Sequence, residues 1–248
     1  MIKIHNFARG ARGQRVMWLC EEMGLPYLVQ NHAFPPGTDY RALNPLGTVP
    51  FLEDSGGVAI NESVAMMLYI VQQYGPTPLL PMADAALTAQ CLQLTLFGET
   101  EIGMNLNPLL AAYFAASDAD KRNWSVVGIE KRVKRAIQYA DTLLHQRPYL
   151  VGDDLTLADI SVSCGLGIWQ GALNGELPEG LRPINRGYGR DRPTSAQGCD
   201  VWMVRNDAVG WVYPALTRYG VSSRRPRTLC FDAKPAMENS PIASHSDC

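Results

Sequence analysis

Apolar and polar positions alternate over residues 2 to 7, which predicts a short β-strand, and residues 14 to 23 then place Val16, Leu19, Cys20 and Met23 at helical spacing. Gly24-Leu25-Pro26 ends that helix, with glycine after the last periodic residue and proline close behind. Residues 27 to 33 read as a second strand, so a β-α-β unit is expected. Residues 34 to 39 are a loop, and residues 40 to 43 allow at most one helical turn. Strands at 49 to 54 and 57 to 61 flank a hairpin through Ser55-Gly56-Gly57, and a helix follows from Ser63 to about residue 74.

Gly75-Pro76-Thr77-Pro78-Leu79-Leu80-Pro81 holds three prolines in seven residues, which excludes a regular element and reads as a domain linker. The pattern then changes. Residues 84 to about 115 form one long helical stretch rich in Ala, Leu, Thr and Met, and residues 119 to 147 carry a second, with Val126, Val127, Ile129, Val133, Ile137 and Leu143 among basic residues. A further apolar helix runs to about Trp169, and Thr156 with Asp159 has the spacing of a capping box at its start. Strand signals are missing here, so a helical domain at 84–185 is expected to follow an α/β domain at 1–78.

At 248 residues the chain is long enough for two domains and a sizeable core. Its formal net charge of -2, without a basic stripe, gives no nucleic-acid footprint. No apolar run approaches the roughly 18 residues that a membrane span needs, and the N-terminus enters a strand without a leader, so the expectation is a cytoplasmic protein with no membrane partner. The six cysteines, at 20, 91, 164, 199, 230 and 248, have no paired metal spacing; buried free thiols are expected rather than disulfides, and no metal.

The candidate chemistry lies between Asn44 and Ser63. Pro50 cannot donate a ladder hydrogen bond, so its place before an apolar strand implies a bulge, an edge or a cis turn that leaves the Val49 backbone free to pair with something extended. The start of the next helix offers free amides and a positive dipole end, to which Ser63 adds a hydroxyl for a carboxylate, and Glu62 can hold an ammonium group. An extended backbone, a carboxylate and an ammonium together describe a small peptide with a free α-amino-acid end.

Asn44-Pro45-Leu46-Gly47-Thr48-Val49-Pro50 and Glu62-Ser63, with the helix patterns on both sides, resemble the glutathione transferase family over about residues 1 to 185. The resemblance implies a thioredoxin-like α/β N-terminal domain followed by an all-α C-terminal domain, with glutathione as co-substrate held by Val49, Pro50, Glu62 and Ser63. It also implies a homodimer, a structural role for Asp159, and a small electrophile against the first-strand loop and the long helix from Asp84, with Phe97, Glu101, Met104, Asn105 and Tyr113 as candidates.

Such an enzyme lowers the pKa of the bound thiol from about 8.5. The family's usual Tyr, Ser or Cys helper is missing from His5-Asn6-Phe7-Ala8-Arg9-Gly10-Ala11-Arg12, where the hydroxyl position falls at about Gly10 or Ala11. In one reading Arg12, or Arg9, with the helix-start amides supplies the positive field for the thiolate. In another the chain binds glutathione and transfers it poorly, as a non-catalytic binding or interaction module; a glutathione-dependent isomerase or dehalogenase would share the same motifs. Cys20, on the apolar face, is not a substitute. Plainer readings stand beside these: Glu62 and Ser63 as helix-terminus residues, His5 and His32 as ordinary strand or loop residues, and Arg15 as a surface residue whose ion pairs contribute about 1 kcal/mol or less.

From about Arg186 periodicity is lost, and Gly, Arg, Pro, Ser and Asp dominate. The closing helix that the resemblance implies reappears when degenerate codons for residues 186 to 198 are read two bases later. A small insertion or deletion near codons 183 to 186 would make 186–248 an atypical, frameshifted tail, poorly ordered and without function; a natural divergent extension is the alternative.

Overall fold

The structure is a computed structural model that describes residues 1–7, 12–145, 147–181, 204–206 and 210–212. A four-stranded sheet has the order β2-β1-β3-β4, from β1 (Ile2–Phe7), β2 (Tyr27–His32), β3 (Phe51–Asp54) and β4 (Val58–Asn61). β1 and β2 are parallel, with Ile2 opposite Tyr27, while β3 is antiparallel to both its neighbours. That topology makes β4 run the same way as β1. Helices α1 (Gly13–Glu22) and α3 (Ser63–Tyr74) therefore both start at the edge where these two strands end.

α1 buries Val16, Leu19 and Cys20 at i, i+3 and i+4, as the apolar spacing requires. Gly24, at φ +64°, turns the chain out of it, and Leu25 N donates to Cys20 O at 2.8 Å to close the helix end. α2 (Thr38–Leu43) takes in two residues more than the single turn expected at 40 to 43. The two-plus-two strands and the helices between them are the thioredoxin-like arrangement that the order of sequence patterns implied.

The stretch expected as one helix from 84 to 115 is instead α4 (Ala85–Phe97), a π-helical turn (Gly98–Gly103) and α5 (Met104–Ala115). Close packing explains the interruption: a Cβ on Gly98 would stand 2.6 Å from Ser161 Oγ, and one on Gly165 would stand 2.7 Å from Ile102 Cγ2. Backbone and helix α8 (Leu157–Leu173) approach at a distance that only glycine permits. α6 (Asp118–Lys121) and α7 (Trp124–Leu144) divide the second long pattern, with Asn123 Oδ1 capping α7 at Ser125 N, 3.2 Å.

α8 is apolar on all sides and every residue from Leu157 to Trp169 is buried, which makes it the axis of the helical part. Its start is a complete capping box, in which Asp159 accepts from Thr156 N (2.9 Å), Thr156 Oγ1 (2.9 Å) and Leu150 N (2.8 Å). Burial pushes the Asp159 carboxyl above its ordinary value against those hydrogen bonds. The proline-rich segment is not a free linker. Leu79 is buried, and its carbonyl accepts from Leu157 N at 2.9 Å.

Cys20, Cys91 and Cys164 are buried free thiols; burial pushes Cys20 up to about 12 and raises the other two. No described helix is long and apolar enough to cross a membrane. The expectations for 186–248, including Cys199, Cys230 and Cys248, fall outside the described residues apart from the antiparallel strands β5 (Val204–Asn206) and β6 (Gly210–Val212).

Candidate functional site

Val49-Pro50 is a cis peptide, one of the three alternatives open in the sequence. β3 begins one residue later and its first rung pairs Phe51 with Asn61, so the Val49-Pro50 turn and the Glu62-Ser63 step lie side by side at one edge of the sheet. Asn44 fixes the loop from behind, as its Nδ2 donates to Thr48 O (2.8 Å) and to Asn61 Oδ1 (3.0 Å). Tyr40 OH donates to Thr48 O as well, at 2.6 Å. Val49 is left beyond the last paired residue of the ladder.

Glu62 is exposed and holds φ +69°, a left-handed region that a residue with a Cβ adopts at a cost of about 1–3 kcal/mol. The Glu62 side chain makes no capping hydrogen bond to α3, so among the described residues its first amides and positive dipole end are left for the site. α1 is likewise without a side-chain cap, with Arg12 as its preceding residue.

Arg15 corrects the sequence reading. It is no surface residue; it is fully buried, on the same stripe of α1 as Leu19. Its Nη1 donates to Ser63 Oγ at 3.1 Å and to Glu99 Oε2, Nη2 to Gly98 O (3.1 Å) and Ser161 O (3.1 Å), and Nε to Ser161 O (3.3 Å). Burial of a cation requires such saturation, and removal of one partner of a buried pair costs about 3–5 kcal/mol. The π-helical turn supplies two of these acceptors, the Gly98 carbonyl and the Glu99 carboxylate.

Arg12 sits at the other side of that carboxylate. Its Nε lies 3.1 Å from Glu99 Oε1 and its Nη2 donates to Gly103 O at 2.9 Å. Two guanidiniums thus share one carboxylate, and the cluster keeps one net positive charge beside the starts of α1 and α3. Arg9, Gly10 and Ala11, which carry the rest of the activation question, lie outside the described residues.

His5 and His32 are joined rather than independent. His5 Nε2 lies 2.5 Å from Glu53 Oε2, His5 Nδ1 lies 2.8 Å from His32 Nε2, and the His32 ring stacks on Tyr40 at 4.0 Å. Hydrogen bonding to His5 holds the Glu53 carboxyl below its ordinary value, so it accepts; neutral His5 then carries its proton on Nε2 and receives one at Nδ1 from His32. Burial lowers both imidazole pKa values.

The electrophile candidates separate. Glu101 is engaged by Arg132 at 2.8 and 2.9 Å, Phe97 packs edge-on against Tyr139, and Asn105 donates back to Glu101 O in the π-helical turn. Tyr113 pairs edge-on with Phe114. Met104 is 59% exposed and follows Gly103, the residue that receives Arg12. Among the described residues no group of three or more His, Cys, Asp or Glu side chains could hold a metal ion.

Residues 11–73 match the family model for the glutathione S-transferase N-terminal domain, and residues 105–172 match that for its C-terminal domain. Glutathione S-transferase Z1 of Arabidopsis thaliana is 26% identical over 183 residues, spanning 70% of this chain and 78% of the relative. Glutathione S-transferase 3 of Schizosaccharomyces pombe is 25% identical over 177 residues, 64% of this chain and 70% of the relative. The solved theta-class glutathione S-transferase of Xanthomonas axonopodis pv. citri, with glutathione bound, superposes with a TM-score of 0.60 at 25% identity, over 74% of this chain and 89% of that one.

Proposed function

Because the chain belongs to the glutathione S-transferase family, we propose that it binds glutathione at the edge formed by Val49-Pro50 and Glu62-Ser63 and adds the glutathione thiolate to a small electrophile. The observation that carries this reading is the Phe51–Asn61 rung, which sets the cis turn beside the uncapped start of α3. The Val49 backbone pairs with the peptide, the Ser63 hydroxyl and α3 amides take a carboxylate, and Glu62 takes the ammonium. Pro50 fixes the turn.

Arg12 is the proposed thiolate stabiliser. With no Ser, Tyr or Cys among residues 5 to 12, the one net charge that Arg12, Arg15 and Glu99 retain, together with the amide end of α1, favours loss of the thiol proton to solvent. The thiolate sulfur then forms a bond to the electrophilic carbon as the leaving group departs. Met104, exposed beside the Arg12 acceptor Gly103, is the proposed first contact of the electrophile.

The organisation that goes with this function is a glutathione-binding domain at 1–78 and a helical domain at 84–185, in a cytoplasmic homodimer. Retention on immobilised glutathione followed by a conjugation assay with a generic aryl halide tests it. Retention with turnover supports the transferase; retention without turnover points instead to a binding module, and failure to be retained removes both.

A further inference from the structure

The Ser63 hydroxyl is satisfied on one side only. Arg15 Nη1 donates to its oxygen at 3.1 Å, and a guanidinium has no acceptor to offer in return, so the hydroxyl hydrogen must be directed elsewhere. Among the described residues nothing takes it, although Ser63 is 3% exposed. A nearly buried hydroxyl with a free donor at the uncapped start of a twelve-residue helix is an anion-facing group awaiting its acceptor.

What aims that donor is Arg15, and what aims Arg15 is the helical part of the chain. Gly98 O, Ser161 O and the Glu99 carboxylate hold the guanidinium on three sides, and the fork geometry leaves an N–H of Nη1 for Ser63. With its oxygen occupied from within, the Ser63 proton is excluded from the position that faces Arg15 and turns to the remaining directions. A serine without Arg15 would spend part of its time with the hydrogen turned inward and a lone pair facing the ligand, which repels an anion.

We propose that Arg15 is a positioning residue for carboxylate recognition: clamped by the π-helical turn and α8, it locks the Ser63 hydroxyl as an outward donor to the α-carboxylate of the γ-glutamyl end. This rests on the glutathione reading above and adds to it that α8 and the π-helical turn determine how strongly one carboxylate of the ligand is felt at the start of α3.

The test is a binding comparison by isothermal titration calorimetry with the full chain, using glutathione and γ-aminobutyryl-cysteinylglycine, which differs by loss of that carboxylate alone. The parent chain should prefer glutathione by about tenfold or more, the scale of a charge-assisted hydrogen bond. The paired variant Arg15→Met with Glu99→Gln removes the two most buried charges together and leaves the partly exposed Arg12 as the one cation, so the net charge of the cluster is unchanged. It should bind the analogue about as the parent does and lose the preference for glutathione.

Arg15→Lys, which keeps the charge and lacks the fork, should reduce the preference at least threefold, by roughly a third to a half of the hydrogen-bond energy. Ser63→Ala, which leaves Arg15 its Glu99, Gly98 and Ser161 partners and α3 its amides, should lose most of the preference too, and adding Arg15→Lys to it should change the ratio no further. A merely structural role weakens both ligands alike and leaves their ratio intact. Retained preference in Ser63→Ala or in a folded Arg15 variant overturns the proposal. Equal binding of the two ligands by the parent, or binding of neither, overturns the underlying glutathione reading instead.

Discussion

Arg12 Nε stands 3.1 Å from Glu99 Oε1, while the second oxygen of the same carboxylate belongs to Arg15. Glu99 therefore restrains Arg12 without cancelling the pair, and Arg12 is the partly exposed member, the one proposed to act on the thiol. Arg12→Ala leaves the buried Arg15–Glu99 pair at zero net charge. The pKa of enzyme-bound glutathione, followed as thiolate absorbance against pH, should rise by about one unit or more on this replacement. An unchanged titration would remove Arg12 from thiol activation.

Glu62 is held at φ +69°, where glycine is unstrained. In Glu62→Gly the relief of strain offsets the added freedom of the unfolded chain, so thermal stability should stay level or rise. Affinity for glutathione should fall by about 10- to 100-fold as the charge-assisted contact to the ammonium is lost. Loss of stability together with unchanged affinity would show that Glu62 serves the helix start and not the ligand.

The His5–His32 pair gives the fold a pH dependence of known sign. Burial lowers both pKa values from 6.5, and the proton on His5 Nε2 serves Glu53. Between those lowered values and 6.5 the unfolded chain binds more protons, so stability is complete above that window and is lost as pH falls through it. The melting temperature should drop as pH falls below about 6.5, the unfolded value, by roughly 2–4 °C for each kcal/mol lost. His32→Gln should flatten that drop; a slope identical to the parent's would place its origin elsewhere.

Gly98 tests the close approach of the π-helical turn to α8. A Cβ there meets Ser161 Oγ at 2.6 Å and the backbone atoms Ser161 C and Val162 N at 2.8 Å, of which only the hydroxyl can swing aside. Gly98→Ala should destabilise the chain by about 1–3 kcal/mol, read as a lower urea midpoint. A midpoint equal to the parent's would mean that the two helices separate freely.

The cis turn, hairpin and helix start that form the proposed peptide-binding edge were legible in the sequence because they are local. A proline before a strand, a double-glycine hairpin and a serine at a helix start lie within twenty residues, and turn chemistry acts at that range. The buried clamp was not, since Arg15 meets Glu99 and Ser161 across 84 and 146 residues. One signal was present: Arg15 and Leu19 are i and i+4 on the apolar stripe of α1, so an arginine occupied a core position. A second was Glu99, the first charge after Asp84 in an otherwise uncharged stretch. The π-helical turn escaped because periodicity alone does not register one widened turn, and only the glycine spacing at 98, 103 and 165 hints at it.

The Leu79 carbonyl, bound by the first amide of α8, changes how the two halves of the chain can move. Three prolines in seven residues suggest a swivel, yet this one is fastened near its middle to the most deeply buried helix. A hinge needs backbone torsions free to rotate. Here proline rings fix several of them and the Leu157–Leu79 bond fastens the segment to α8, so the connection resists swivelling at this point.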